Sequence, residues 1–118
     1  SEEMFLMALK FAESSHYTQV KAKSLNGLAE IYRRQQEFEM DLKNHLEAIE
    51  LLEKIGAKCD LAEAYFQLNL TYQGMGNKSE SRVNIEKAVR LFDEINAPKQ
   101  VSKVNYQLIM NNEELSLQ

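Results

Sequence analysis

Two stretches of this chain decide its fold, AKSLNGLAEIY at residues 22–32 and NHLEAIELLEKIGA at residues 44–57. Both return 40 residues later, as AEAYFQLNLTY at 62–72 and NIEKAVRLFDEINA at 84–97. Eight positions are identical between the two copies, well above the two or three that chance would give. A fixed period of this size predicts a protein built from stacked copies of one structural unit.

Each unit has the pattern of two amphipathic helices. Apolar residues recur at three- and four-residue intervals, which is the spacing of one buried helix face. No segment alternates in the way that a strand would. The pattern predicts about six helices, at roughly 2–15, 19–35, 38–55, 60–74, 79–95 and 99–113.

Short breaker segments are expected between these helices. Gly56 and Asn96 suit the position just past a helix end, because both residue types tolerate the left-handed backbone. Gly76 plays the same role inside the second unit, and Pro98 suits the first turn of a helix. Residues 14–18 occupy the corresponding position at the front of the chain, where we expect another turn.

The register divides the chain into a half repeat at 1–20, full repeats at 21–60 and 61–100, and a half repeat at 101–118. Each half repeat contributes one helix without its partner. Stacked repeats normally present a polar cap at each end, whereas the first helix here is rich in Met, Leu and Phe. We therefore expect a fragment of a longer array, or an array whose ends are covered by another copy.

Composition excludes several classes of protein. The chain has 118 residues and a net charge of -4, which disfavours a nucleic-acid platform because such a platform normally has a basic face. Its single cysteine, Cys59, excludes an intramolecular disulfide and favours a reducing, cytoplasmic location. No apolar run is long enough to cross a membrane. We expect a soluble, acidic, helical domain.

The repeat units resemble those of the tetratricopeptide repeat (TPR) family. The second unit matches that family's pattern at Tyr65, Leu68–Asn69, Tyr72, Gly76, Ser81, Ile85 and Ala88, and the first unit matches it at Leu25, Leu28–Ala29, Tyr32, Phe38 and Ala48. Asp41 and His45 depart from it, standing where a small residue and an aromatic are usual. The 40-residue spacing is similar to that of kinesin light chain and the LGN-type polarity adaptors. The resemblance implies an all-α, right-handed α-solenoid of antiparallel helix pairs.

The resemblance also implies where a partner would bind. In such a fold the first helix of each unit lines a concave groove, and residues outside the buried stripe point into it. The candidate binding residues are Lys23, Asn26, Arg33, Phe66, Leu70, Gln73, Lys103, Tyr106 and Met110. Phe66 and Leu70 would form an apolar floor, and charged residues would steer the partner. Alternatively, these apolar residues pack against a neighbouring segment.

No pattern indicates catalysis, a metal site or a cofactor. His16 and His45 have no second His or Cys at helical spacing, so no helical metal pair of that kind is expected. Ser14 and Ser15 have no orienting acid or oxyanion donors. His45 fits a structural side chain on a helix face, and Cys59 fits a lone interface residue.

We therefore predict a non-enzymatic protein-interaction module or scaffold that binds a peptide or a partner helix. Its partners would be proteins, with no nucleic acid and no membrane insertion. Two alternatives stay open. The exposed end helices would make the chain a homo-oligomer, or the chain would be the regulatory segment of a larger signalling protein.

Overall fold

The computed structural model describes residues 2–117, with side chains for residues 2–4 and 6–110. Residues 2–117 form five α-helices and no strand. The helices are α1 (Glu2–Arg34), α2 (Phe38–Ile55), α3 (Lys58–Gly74), α4 (Lys78–Glu94) and α5 (Pro98–Leu117). The prediction of an all-α protein is confirmed.

Each connection between helices contains one residue with a left-handed backbone. These residues are Gln36, Gly56, Gly76 and Asn96, with φ between 60° and 77°, and they stand 20 residues apart. The next residue donates its N–H to the carbonyl five positions earlier, in the pairs Glu37–Tyr32, Ala57–Leu52, Asn77–Tyr72 and Ala97–Phe92. This hydrogen bond satisfies a carbonyl that the ending helix leaves free. Each 40-residue repeat therefore consists of two similar 20-residue halves, each made of one helix and the connection that follows it.

The predicted turn at residues 14–18 is wrong, and residues 2–117 form five helices instead of the predicted six. Helix α1 runs through this segment without a break, so the boundary drawn at residue 20 lies inside a helix. His16 stands 20 residues before Gln36 but is helical. The Thr18 hydroxyl donates to the Ser14 carbonyl at 2.9 Å, which satisfies it within the helix. With no Gly, Asn or Pro at this point, nothing local ends the helix.

The helices pack as successive neighbours. Helix α1 packs most extensively on α2, and α3 on α4, while α2–α3 and α4–α5 contacts join the pairs. Helix α3 lies between two core clusters, one with α1 and α2 and the other with α4 and α5. Short connections make sequential helices antiparallel, so α1, α3 and α5 run in the same direction.

The repeated residues are those that the packing needs. Ala22 and Ala62 on the first helices, and Ala48 and Ala88 on the second helices, are fully buried. Their small side chains let two helices approach closely. Asn44 and Asn84 are also buried and donate to the carbonyl four residues earlier, each at 2.8 Å. Three of the eight repeated identities are thus buried in both copies.

Candidate protein-interaction surface

The surface of interest consists of residues on α1, α3 and α5, the first helix of each unit. We call it the first-helix face. It contains Arg33 of α1, then Glu63, Gln67 and Leu70 of α3, then Lys103, Tyr106 and Met110 of α5. The 40-residue register aligns Glu63 with Lys103 and Leu70 with Met110, so that corresponding turns of α3 and α5 contribute to the same surface.

Arg33 links α1 to α3. Its guanidinium donates to the Gln67 carbonyl at 3.2 Å and to Gln67 Oε1 at 3.0 Å. Gln67 Nε2 in turn donates to Glu63 Oε1 at 3.0 Å. Glu30 lies 3.8 Å from Arg33, whose side chain is only 18% exposed. Arg33 is therefore a structural link as well as a member of the face.

Phe66 lies in the interior. It is 6% exposed and belongs to the core cluster with Ile85, Phe92 and Val104. The Lys103 ammonium lies 4.9 Å from the centre of its ring, a cation–π geometry that joins α5 to α3. Phe66 was predicted as part of the apolar floor of a groove. Its ring is instead covered, because α4 and α5 pack on this side of α3.

Three other predicted residues are engaged within the fold. Asn26 Oδ1 lies 3.0 Å from His45 Nδ1, which places the amide between α1 and α2. Lys23 is exposed and lies 3.9 Å from Asp60 of α3. Gln73 donates to Asn69 Oδ1 at 3.1 Å.

The remaining predicted residues, Leu70, Tyr106 and Met110, are the apolar members of the first-helix face, and we call them the apolar patch. Tyr106 is 65% exposed and Met110 is 39% exposed on α5. Leu70 of α3 is half-buried and packs on the edge of the second core cluster. The Lys103 ammonium contacts the Phe66 ring. Tyr106 lies one turn after Lys103 on α5, and Leu70 lies one turn after Phe66 on α3. An aromatic and a Met beside a Lys are residue types that protein-binding surfaces use.

Gln67 and Glu63 belong to this face but are not among the candidate binding residues predicted from the sequence. They connect Arg33 to the face by hydrogen bonds. The contact between Glu63 and Gln67 can be predicted from their four-residue separation, because side chains at i and i+4 meet on a helix surface. The hydrogen bonds from Arg33 to Gln67 cannot be predicted from the sequence, since they depend on how α1 packs beside α3.

A buried polar network lies behind this face. Asp41 and His45 of α2 are both fully buried, with His45 Nε2 at 3.4 Å from Asp41 Oδ1. The Thr71 hydroxyl of α3 donates to Asp41 Oδ1 at 2.9 Å. Burial is the main cause, and the positive charge of Arg33 the smaller one, that together lower the pKa of His45 to about 4. Burial raises the pKa of Asp41, although the Thr71 hydrogen bond and Arg33 oppose that rise.

This network has the geometry of a structural element. No reactant can reach His45 or Asp41, because neither side chain has exposed surface. Each member bonds to a different helix, with Asn26 on α1 and Thr71 on α3. It therefore joins three helices at the two positions that depart from the TPR pattern.

A shallow depression on the other side of α3 is lined by Leu61 and Tyr65 of α3 and by Lys87, Arg90 and Leu91 of α4. Lys87 lies over the Tyr65 ring at 5.2 Å, and the Tyr65 hydroxyl donates to Glu53 at 2.8 Å. Burial, together with the Glu53 carboxylate, raises the pKa of Tyr65 to about 12. These contacts join α2, α3 and α4, and the depression is small and open.

Within the described residues, no three His, Cys, Asp or Glu side chains are grouped so that they could hold a metal ion. None of the helices, over their described residues, has both the length and the apolar character of a membrane span.

Comparison with known proteins gives no relative: no family model matches the chain, and no curated protein or solved structure matches it.

Proposed function

We propose that this chain is a non-enzymatic interaction module that binds a peptide or a partner helix along its first-helix face. In this proposal the helix pairs are arranged as a right-handed α-solenoid of the TPR type. The protein is located in the cytoplasm and uses no cofactor. The support comes from the 40-residue register, the antiparallel pairing of successive helices and the residues that match the TPR pattern.

One observation carries the proposal. Tyr106 and Met110 are exposed apolar side chains on α5, adjacent to a Lys103 that is held over Phe66. Aromatic and Met side chains provide binding energy when a partner covers them. Lys103 and Arg33 place positive charge beside the patch, which favours a segment with apolar anchors and acidic flanks.

The binding site therefore differs from the one predicted from sequence alone. Leu70, Tyr106 and Met110 supply apolar contact, while Lys103 and Arg33 supply charge. Phe66 supports the site from below through its contact with Lys103. Asn26 contributes to the joint between α1 and α2.

The test begins with selection of binders from a random peptide library on the immobilised chain. The affinity of a selected peptide is then measured by calorimetry for wild type, Tyr106→Ala and Met110→Ala. We expect each substitution to weaken binding by about tenfold, since anchor residues of an interface contribute more than 1 kcal/mol.

Met75→Ala is the matched control. Met75 is 42% exposed in the connection between α3 and α4, close to the 39% of Met110. We expect Met75→Ala to leave affinity unchanged. If the selected peptides bind equally well to Tyr106→Ala and Met110→Ala, the first-helix face is not the binding site.

A further inference from the structure

Helix α1 carries a second apolar surface, on the side away from α2. Six large side chains form it, and we call them the α1 stripe: Leu6, Leu9, Tyr17, Val20, Leu28 and Ile31. Their exposed fractions lie between 45% for Leu28 and 71% for Tyr17. At 100° per residue they fall on one side of the helix, along nearly its whole length.

The same register position is covered elsewhere in the fold. Leu68 and Thr71 of α3 stand 40 residues after Leu28 and Ile31, and they are 2% and 0% exposed. Leu68 packs in the core cluster that includes Ile49 and Leu52 of α2. On α3 this side is thus a helix-packing face. On α1 no helix among residues 2–117 covers it.

The spacing of the α1 stripe identifies what fits on it. The intervals between successive members are 3, 8, 3, 8 and 3 residues, an order that is the same from either end. Leu6 and Ile31, Leu9 and Leu28, and Tyr17 and Val20 are each equidistant from the midpoint between Thr18 and Gln19. An antiparallel second copy of this helix would therefore align apolar residues with apolar residues at all six positions.

The intervals also suit two straight helices. Three plus eight is an 11-residue repeat, close to three full turns, so the stripe drifts little around the helix. Helix α1 is continuous through residue 16, where a turn would have folded the first part of the helix back onto the second part. The continuous helix leaves Leu6 and Leu9 exposed, so they can lie on another chain.

Charge around the stripe is self-complementary as well. Glu2 and Glu13 lie on the same side of α1 as the stripe, whereas Lys23 and Arg34 lie beside it. Glu2 and Arg34 stand at nearly equal distances on either side of the midpoint, as do Glu13 and Lys23, and all four side chains are exposed. In the antiparallel arrangement each carboxylate of one copy would lie at nearly the same level as a cation of the other copy.

We propose that two copies of this chain associate through the α1 stripe as an antiparallel, two-fold symmetric helix pair. This surface is separate from the first-helix face, so the proposal does not rest on the proposed function. The dimer presents two first-helix faces, one per copy. A partner with two binding segments would therefore bind the dimer more tightly than the monomer, because the second segment binds intramolecularly.

The arrangement is tested by cysteine cross-linking in a Cys59→Ser background. Leu9→Cys and Leu28→Cys are made in separate chains, mixed and oxidised. Facing positions of two packed helices lie within disulfide range. We expect the mixture to give a cross-linked dimer and each variant alone to give none, because residue 9 of one copy faces residue 28 of the other.

Three results would overturn the proposal. Cross-linking of either variant with itself would indicate a parallel or unrelated pairing. Failure of the mixture to cross-link would exclude the proposed register. A chain carrying both cysteines that forms its disulfide within one monomer would show that residues 2–15 fold back onto their own helix.

Sedimentation equilibrium of the full chain provides the second test. Leu28→Lys places a charge in the centre of each half of the interface, and we expect it to raise the dimer dissociation constant at least about tenfold. Leu46→Lys on α2 is the matched control, since Leu46 is 50% exposed against 45% for Leu28, and it should leave dimerisation unchanged. Circular dichroism checks that both variants fold.

A wild-type chain that stays monomeric at high concentration would contradict the proposal. An equal effect of Leu28→Lys and Leu46→Lys would also contradict it. Val20→Lys, near the two-fold axis, provides an independent variant with the same expected result as Leu28→Lys. All three variants should retain the affinity of wild type for a peptide selected on the first-helix face, which keeps the two proposals separable.

Discussion

The imidazole of His45 lies with its Nε2 atom 3.4 Å from Oδ1 of Asp41, and both side chains are fully excluded from solvent. Neutral His45 uses its N–H at Nδ1 for the Asn26 oxygen. Its Nε2 atom and Asp41 Oδ2 therefore have no hydrogen-bond partner among the described residues. An ionised Asp41 would place two acceptors side by side, and burial accordingly raises the pKa of Asp41 and lowers that of His45.

This pair predicts opposite pH dependences for two variants. The pKa of His45 is lowered from 6.5 to about 4, so its contribution to stability is present above pH 6.5 and is lost as pH falls towards 4. In Asp41→Asn we expect the free energy of unfolding to decrease over this range by up to about 3 kcal/mol. The Asn oxygen can still accept from Thr71, so the fold is kept.

In His45→Leu the sign reverses. The pKa of Asp41 is raised, so its contribution is present below the unfolded value of 3.8 and is lost as pH rises through the folded value. We therefore expect the free energy of unfolding to increase as pH falls. Urea denaturation of both variants across the acid range measures these slopes, and slopes of the same sign would contradict the opposite directions of the two pKa shifts. Arg33 is retained in both variants, so its charge is the same in the comparison.

Phe66 and Tyr106 are predicted to differ in their effect on stability. Phe66→Ala removes a core ring and should lower the free energy of unfolding by about 3–5 kcal/mol. Tyr106→Ala removes an exposed ring and should change it by less than about 0.5 kcal/mol. Denaturant unfolding of the two variants gives both values. Small and equal effects would show that Phe66 is not a core residue.

Two glycines are predicted to respond to alanine with opposite signs. Gly76 has φ of +77°, and an added Cβ would meet no atom within 4 Å, so the cost is backbone strain alone. Gly76→Ala should destabilise the protein by about 1 kcal/mol. Gly27 lies within α1 with open space around it, and Gly27→Ala should stabilise by about 0.5–1 kcal/mol through helix propensity. Thermal unfolding checks both, and a stabilising Gly76→Ala would exclude the left-handed turn.

Arg33 and Arg34 are predicted to differ although they are adjacent. Arg33→Lys should lower the free energy of unfolding by about 1–2 kcal/mol, because an ammonium cannot reproduce the two hydrogen bonds to Gln67. Arg34 is 75% exposed and pairs only with Glu30 among the described contacts, so Arg34→Lys should have an effect below about 0.5 kcal/mol. Urea denaturation distinguishes them. Equal effects would show that the link from Arg33 to Gln67 contributes nothing to stability.

The sequence by itself determined the helices from residue 38 onward. The predicted helix at 38–55 matches α2, and the predictions at 60–74, 79–95 and 99–113 agree with α3, α4 and α5 within a few residues at their observed ends. Gly56 and Asn96 take the left-handed backbone expected of them, and Pro98 opens α5. Local chemistry suffices here, because a left-handed residue ends a helix wherever the rest of the chain lies.

Only the tertiary structure decided what covers each helix face. Phe66 and Tyr106 stand at the same position of successive repeats, yet α4 and α5 bury Phe66 while Tyr106 has no neighbour covering it among the described residues. In the sequence, Asp41 and His45 are polar residues at positions where buried small or aromatic residues are usual. In the structure, Asn26 of α1 and Thr71 of α3 form hydrogen bonds with His45 and Asp41, respectively. Burial is a property of the elements that pack on a residue, and these come from 19 to 30 positions away in the chain.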